Sequence, residues 1–205
     1  MWFDPVVVAT FTHVVLGGPV SEAGAAFWAR ALDATWRAAG PEPDRPASLV
    51  PADGDAYVHR ARPGRAAPAL VLEVDDLVGT SRRVEERGGS PDASGPHRWR
   101  SPGGLVFGLR TSQEHRRAPA ARWPDGSTSR LVQLCLDCPA DPAEREAIFW
   151  AAVAGWTWQD CGSPEFVCHL VPGAGCGCAA AARAASRVGD AGGGHRAPRP
   201  RHERP

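Results

Sequence analysis

The 205-residue chain contains no lysine and no asparagine, a single isoleucine (Ile148) and a single tyrosine (Tyr57). All 23 of its basic residues are therefore arginine, set against 23 acidic ones. A formal charge of zero leaves no global field to draw the chain to nucleic acid or to an anionic membrane, so neither is an expected partner. The missing residue types mirror an extreme codon bias better than a physical demand, and the arginines are read the same way rather than as a phosphate site. Long hydrophobic runs are lacking too. The apolar stretch Val6–Val15 is broken by Thr10, Thr12 and His13 and follows Asp4 rather than basic residues, which argues against a signal peptide. Nothing reaches the length of a membrane span, and a cytoplasmic location is the expectation.

Cysteine is missing from residues 1–134; Cys135, Cys138, Cys161, Cys168, Cys176 and Cys178 all fall after them. A disulfide framework needs a secreted context that the sequence does not suggest. Cys135-x-x-Cys138 with Cys168-His169 offers the ligand types zinc prefers. Both of the first two thiols lie in a strand-like stretch, however, where residues three apart point to opposite faces. No metal is assigned there.

What the chain does contain is a repeat. Ala25–Trp36 aligns without a gap against Ala147–Trp158, at an offset of 122 residues, with Ala, Phe, Trp, Ala, Thr and Trp coinciding. Thr10–Leu16 falls opposite Val132–Cys138 at the same offset, and Leu49-Val50-Pro51 answers Leu170-Val171-Pro172 after a slip of one. Such a period is too long for a solenoid unit and matches a small domain.

The local patterns read as strand, helix, strands, twice over. Thr10–Leu16 is β-branched and aromatic, closed by Gly17-Gly18-Pro19. Ser21 caps a helix expected to run to about Ala39, with Trp28, Leu32, Thr35 and Trp36 forming one apolar stripe. Ala47–Val50 and Ala56–Ala61 read as short strands around Asp53-Gly54. Ala69–Val74 is the clearest strand; Asp75 or Asp76 then caps a helix to about Arg87, and His97–Arg100 pairs with Leu105–Arg110 around Ser101-Pro102-Gly103-Gly104. Each half is a βαβββ unit, the early strand of the first being weak or missing. The domain spans 8–112, an Arg/Pro/Gly-rich linker 113–128, and a partial second copy 129–172. Within that copy Leu131–Asp137 is a strand, Pro142–Ala154 a helix, and Thr157–Asp160 with Glu165–Leu170 a hairpin. Residues 173–205 are Gly-, Ala- and Arg-rich and are expected to be a disordered tail, read as translated out of frame.

The His13 strand, the Phe27-Trp28-Ala29 helix, the Leu70–Leu77 segment and Trp99–Leu109 together resemble a glyoxalase-like domain of the vicinal oxygen chelate superfamily. That superfamily includes glyoxalase I, extradiol dioxygenases and the bleomycin and fosfomycin resistance proteins. The resemblance implies an α+β fold: paired βαβββ units forming a curved mixed sheet, with an incomplete second copy and the disordered tail. It also implies metal ligands on the first and last strands of each unit. His13 occupies one such position. Ala69 and Gly108 stand where two others would be, the first unit's last strand offers Tyr57 and His59 but no acid, and Ser101 replaces the turn acid. Three protein ligands and an open position are what a catalytic metal requires.

The expected function is therefore binding of a small organic molecule in the concave pocket, without a complete catalytic metal site and with no cofactor. His13, His59, Trp99 and Phe107 are the candidate ligand-binding residues. Trp28 and Trp36 are read as core. Glu73 with Asp75-Asp76 is read as the acidic start of a helix rather than as paired catalytic carboxylates. The alternatives are a metal-dependent lyase or isomerase of glyoxalase type using His13 with a divalent metal, and a truncated or frameshifted product without function. A homodimer is compatible with the half-finished second copy.

Overall fold

The computed structural model describes residues 9–17, 20–41, 46–62, 68–131, 133–138, 143–159, 166–171 and 181–186. The first unit runs β1 (Ala9–Leu16), α1 (Glu22–Ala31), β2 (Ala34–Arg37), β3 (Ala47–Pro51) and β4 (Val58–Arg60). The second runs β5 (Leu70–Val74), α2 (Leu77–Glu86), β6 (Ser90–Pro91), β7 (Arg98–Arg100) and β8 (Val106–Thr111). They form one eight-stranded sheet in the order β2-β3-β4-β1-β5-β8-β7-β6. β1 pairs parallel with β4, β5 parallel with β8, and the two first strands meet antiparallel at the centre. The order is the same read from either edge, which is what two copies of one unit produce.

Both helices begin as their caps dictate. Ser21 accepts from the Gly24 amide at 3.1 Å, and Asp76 accepts from the Gly79 amide at 2.9 Å. The end of α1 corrects the expected helix to Ala39. Asp33 takes a left-handed φ of 46°, the chain reverses, and Ala34–Arg37 becomes strand β2 against β3. Trp36, expected on the helix stripe, faces Leu49 across that ladder while its indole N–H donates to the Ala25 carbonyl at 2.9 Å. The early strand expected to be weak or missing is thus present.

After β8 the chain forms a small hairpin, β9 (Ala121–Arg122) with β10 (Thr128–Ser129), and then a third unit. This comprises β11 (Gln133–Cys138), α3 (Ala143–Ala154), β12 (Thr157–Gln159), β13 (Phe166–Val171) and β14 (Ala181–Ser186). Its sheet order β11-β14-β13-β12 repeats β1-β4-β3-β2, with β11/β14 parallel and both other pairs antiparallel. Within the segment expected to be a disordered tail, Ala181–Ser186 is the last described strand of this unit; residues 172–180 and 187–205 lie outside those described. Among the described residues, one such unit follows the paired units of the eight-stranded sheet.

α3 explains where the core sits. Phe149 and Trp150 are 1% and 0% exposed and pack edge-on against Phe107, centroids 5.8 and 4.8 Å away. The same cluster holds Leu70, Leu72, Val74, Val84 and Trp99. Glu146, buried on the same helix, accepts from Ser101 Oγ at 2.5 Å, the Gly103 amide at 2.6 Å and the Trp150 indole at 2.8 Å. A buried carboxylate is tolerated because all these donors satisfy it. The acid missing from position 101 is thus supplied from α3.

Candidate functional site

Strand alternation decides which side chains meet on the face opposite that core. Leu70, Leu72 and Val74 point into the core cluster, so Val71 and Glu73 point the other way. Register places Glu73 opposite Phe11 on β1 and opposite Arg110 on β8, and places Val71 opposite His13 and Gly108. His13 Nε2 lies 2.9 Å from Glu73 Oε1. Arg110 Nε donates to the same oxygen at 2.6 Å, and its Nη2 reaches both Glu73 Oε1 and, at 2.5 Å, His13 Nε2.

The fourth side comes from the segment after β8. The Asp55 amide donates to the Arg116 carbonyl and the Arg116 amide donates to Asp55 Oδ2, both at 2.8 Å, so 113–118 is strapped across the sheet. Gly54, at φ 120°, lets the strap approach: a Cβ there would sit 2.6 Å from the Ala118 backbone. His115 is thereby stacked on Phe11, centroids 4.0 Å apart, with Nε2 2.8 Å from Glu73 Oε2 and Nδ1 3.5 Å from Asp55 Oδ2. The Gln113 amide donates to Glu73 Oε2 at 3.0 Å.

The electrostatics follow from burial and neighbours. Burial alone would raise the Glu73 carboxyl, but hydrogen bonds from His13 and Arg110, with the guanidinium charge, bring its pKa down to about 2. Burial outweighs the Glu73 contact at His13 and holds that imidazole below its ordinary value. Burial and the neighbouring His13 and Arg110 push His59 down to about 3. The cluster thus holds an ionised carboxylate beside two neutral rings.

Of the four residues expected to line a pocket, two come together. His13 Nδ1 is 2.9 Å from His59 Nε2, and His59 Nδ1 is 2.8 Å from Ser48 Oγ. Trp99 and Phe107 face each other across β7 and β8 but belong to the core around α3, on the opposite face. Ala69 is exposed and Gly108 is packed against Val71, so neither offers a donor atom.

Two residues of the site were not among the candidates drawn from the sequence. Glu73 is wholly buried beside His13, which corrects its reading as part of an acidic helix start. The signal was available: it is the one charge in an apolar strand and falls on the side opposite Leu70, Leu72 and Val74. His115 sits in the Arg- and Pro-rich linker, and no local pattern marks it. Donor atoms of His13, Glu73 and His115 all lie within 4.8 Å of one another. Two imidazoles and one carboxylate suit first-row divalent ions. Among the cysteines with described side chains, Cys135 is an exposed free thiol.

No family model and no curated protein sequence matches the chain. Solved structures do. A Mn(II)-bound glyoxalase from Novosphingobium aromaticivorans superposes with a TM-score of 0.56 at 20% identity, over 87% of this chain and 62% of its own. BphC, a halotolerant catechol dioxygenase, gives 0.54 at 12%, over 88% and 66%. A xylose isomerase-like TIM barrel/4-hydroxyphenylpyruvate dioxygenase fusion protein gives 0.53 at 17%, over 89% and 33%. The chain spans less than two thirds of each of these structures. Among the described residues, no helix is long and apolar enough to cross a membrane.

Proposed function

Since the chain has the fold of the vicinal oxygen chelate superfamily, we propose that it binds a divalent cation on His13, Glu73 and His115 and a small oxygenated organic molecule beside it. The observation that carries this reading is the convergence of those three donors from β1, β5 and the strap. They fit the group chemically. Two rings that burial or stacking holds in place and a carboxylate already ionised need little rearrangement to accept a cation, and Asp55 lies beside the far nitrogen of His115, where a carboxylate can orient a ligating ring. When bound, such an ion acts as a Lewis acid on an oxygen of the organic ligand.

The chain's own residues set what that ligand is. Arg110 is 43% exposed at its side chain, so it can swing outward from Glu73 while staying at the rim. Glu73 and Arg110 cancel, so a divalent ion leaves the site net positive and favours an organic anion. Phe11, Tyr57 and Ala118 give the neighbouring wall apolar character. Elemental analysis of the purified chain is expected to find about one divalent ion per chain, lost in Glu73→Gln and in His115→Ala.

A second reading is favoured by one contact, Arg110 Nη2 at 2.5 Å from His13 Nε2. In it the guanidinium is the resident cation and the protein is a metal-free binder of small organic anions. Wild-type protein without metal, even after dialysis against Mn(II), would establish this reading in place of the first.

A further inference from the structure

We propose that a pocket at one end of β2, β3 and β4 is a second binding site, and that its ligand is a small planar organic anion of the aryl carboxylate class. The pocket shares no lining residue with the cluster of His13, Glu73 and His115, and the inference stands whether or not that cluster takes a metal.

Strand register builds the floor. Trp36 stands opposite Leu49 and Leu49 opposite Val58, so Trp36 and Val58 lie on one face of the sheet. Arg60 is two residues on from Val58 along β4, directly opposite Ala47, and shares that face. The pocket has a volume of about 360 Å³ and is lined by Trp36, four alanines that include Ala47 and Ala61, and the three arginines Arg37, Arg60 and Arg62. Pockets for small organic molecules run from about 300 to 1,000 Å³ and combine apolar walls with a few polar groups. This one has that make-up and lies at the small end of the range, which suits a ligand built on a single ring.

The charge of the lining selects an anion. None of its residues is acidic. Among the described residues, neither Arg37 nor Arg60 forms an ion pair. Guanidinium groups gathered without a counter-charge repel one another, and a bound carboxylate relieves this while matching the planar fork of an arginine. The walls select the rest of the ligand, since the indole and the alanine methyls offer apolar contact that a bare inorganic anion cannot use. Trp36 is half-buried, and its indole N–H is fixed on the Ala25 carbonyl at 2.9 Å. Arg62 is held too, donating from Nη2 to the Gly40 carbonyl at 2.5 Å. An aromatic face set in advance suits a flat ring, because little side-chain freedom remains to be lost on stacking.

Indole ¹⁵N–¹H spectra of the full chain test this, with benzoate as the probe and the Trp36 signal assigned by its loss in Trp36→Phe. Benzoate is expected to shift that signal saturably, with a dissociation constant of about 1 mM or tighter. Metal-stripped and Zn(II)-loaded protein are expected to give the same curve, because the pocket is separate from the metal cluster. Arg60→Gln is expected to weaken binding roughly tenfold or more, and Arg37→Gln decides the matter if that variant does not fold. Cyclohexanecarboxylate, which carries the same charge on a puckered ring, is expected to bind more weakly, and inorganic phosphate to leave the Trp36 signal in place. No shift with benzoate, equal affinity for cyclohexanecarboxylate or phosphate, or full affinity in Arg60→Gln or, failing that, Arg37→Gln, overturns the proposal. A Trp36 shift seen only with Zn(II) bound also overturns it, since the anion would then belong to the metal site.

Discussion

Arg110 on β8 stands directly opposite Glu73 on β5 and donates to its Oε1 from Nε at 2.6 Å. The pairing neutralises a carboxylate with no exposed surface, and it also places a permanent cation against the lone pairs that a metal would use. Stability without a metal and affinity for one therefore pull in opposite directions at one residue.

Arg110→Met removes the competitor. Mn(II) binding, measured by titration calorimetry, is expected to tighten about tenfold, equivalent to ~1.4 kcal/mol. The same variant is expected to unfold earlier without metal, because it leaves the buried carboxylate short of a partner. Weaker Mn(II) binding would show that Arg110 supports the ion rather than excluding it.

Stability is expected to fall with acid, in a defined window. His13 and His59 resist protonation when folded, so below pH 6.5 the unfolded chain takes up protons that the folded chain refuses. The loss is up to about 1.4 kcal/mol per pH unit for each histidine. Glu73 acts in the same sense at lower pH: held near a pKa of about 2, it stabilises the fold above its ordinary value of 4.5 and gives that up as pH falls toward 2. Between pH 6.5 and 4.5 the histidines alone set the slope. Urea midpoints measured across that range should decline, and His59→Gln should flatten the decline.

The repeated Phe-Trp pair offers a test of context against sequence. Phe27 is 60% exposed on α1, whereas its counterpart Phe149 is 1% exposed on α3. Phe149→Ala or Trp150→Ala should cost about 3–5 kcal/mol. Phe27→Ala should stay within about 0.5 kcal/mol of wild type. Equal losses in denaturant titrations would contradict the placement of α3.

Glu146 ties α3 to the turn between β7 and β8 through Ser101 and Gly103. Glu146→Ala strands the Gly103 amide and the Trp150 indole, at about 1–3 kcal/mol for each buried group left unpaired. Limited proteolysis is expected to release the third unit earlier in this variant. An unchanged cleavage rate would mean that the apolar contacts of Phe149 and Trp150 hold α3 without it.

Gly54→Ala would drive a Cβ into the Ala118 backbone and lift the strap. His115 is the donor the strap carries, so Mn(II) affinity should drop in this variant while His13 and Glu73 remain in place. Retained affinity would remove His115 from the ligand set.

How far the sequence could be read depends on how local each signal is. The caps at Ser21 and Asp76 and the apolar strand Leu70–Val74 are written in neighbouring residues, and the folded chain uses them as expected. Ala34–Arg37 was harder, since Trp28, Leu32 and Trp36 fit a helical stripe as well as they fit a helix followed by a strand. The repeat held the answer. Thr157-Trp158, the counterpart of Thr35-Trp36, reads as a strand after a glycine, and the structure makes both stretches strands. A short apolar run carries no period of its own, and pairing with β3 decides it.

The sequence alone determined the βαβββ units, their duplication and His13 on a buried strand face, because caps, alternation and a 122-residue offset are properties of the chain itself. Only the tertiary structure decided what surrounds His13. Glu73 reaches it from 60 residues away and Arg110 from 97, through strand register. His115 reaches Glu73 through a strap anchored on Asp55. It also gave Trp99 and Phe107 to the core, because α3 brings Phe149 and Trp150 against them. Contacts of that range are fixed by pairing and packing, which a linear pattern does not record.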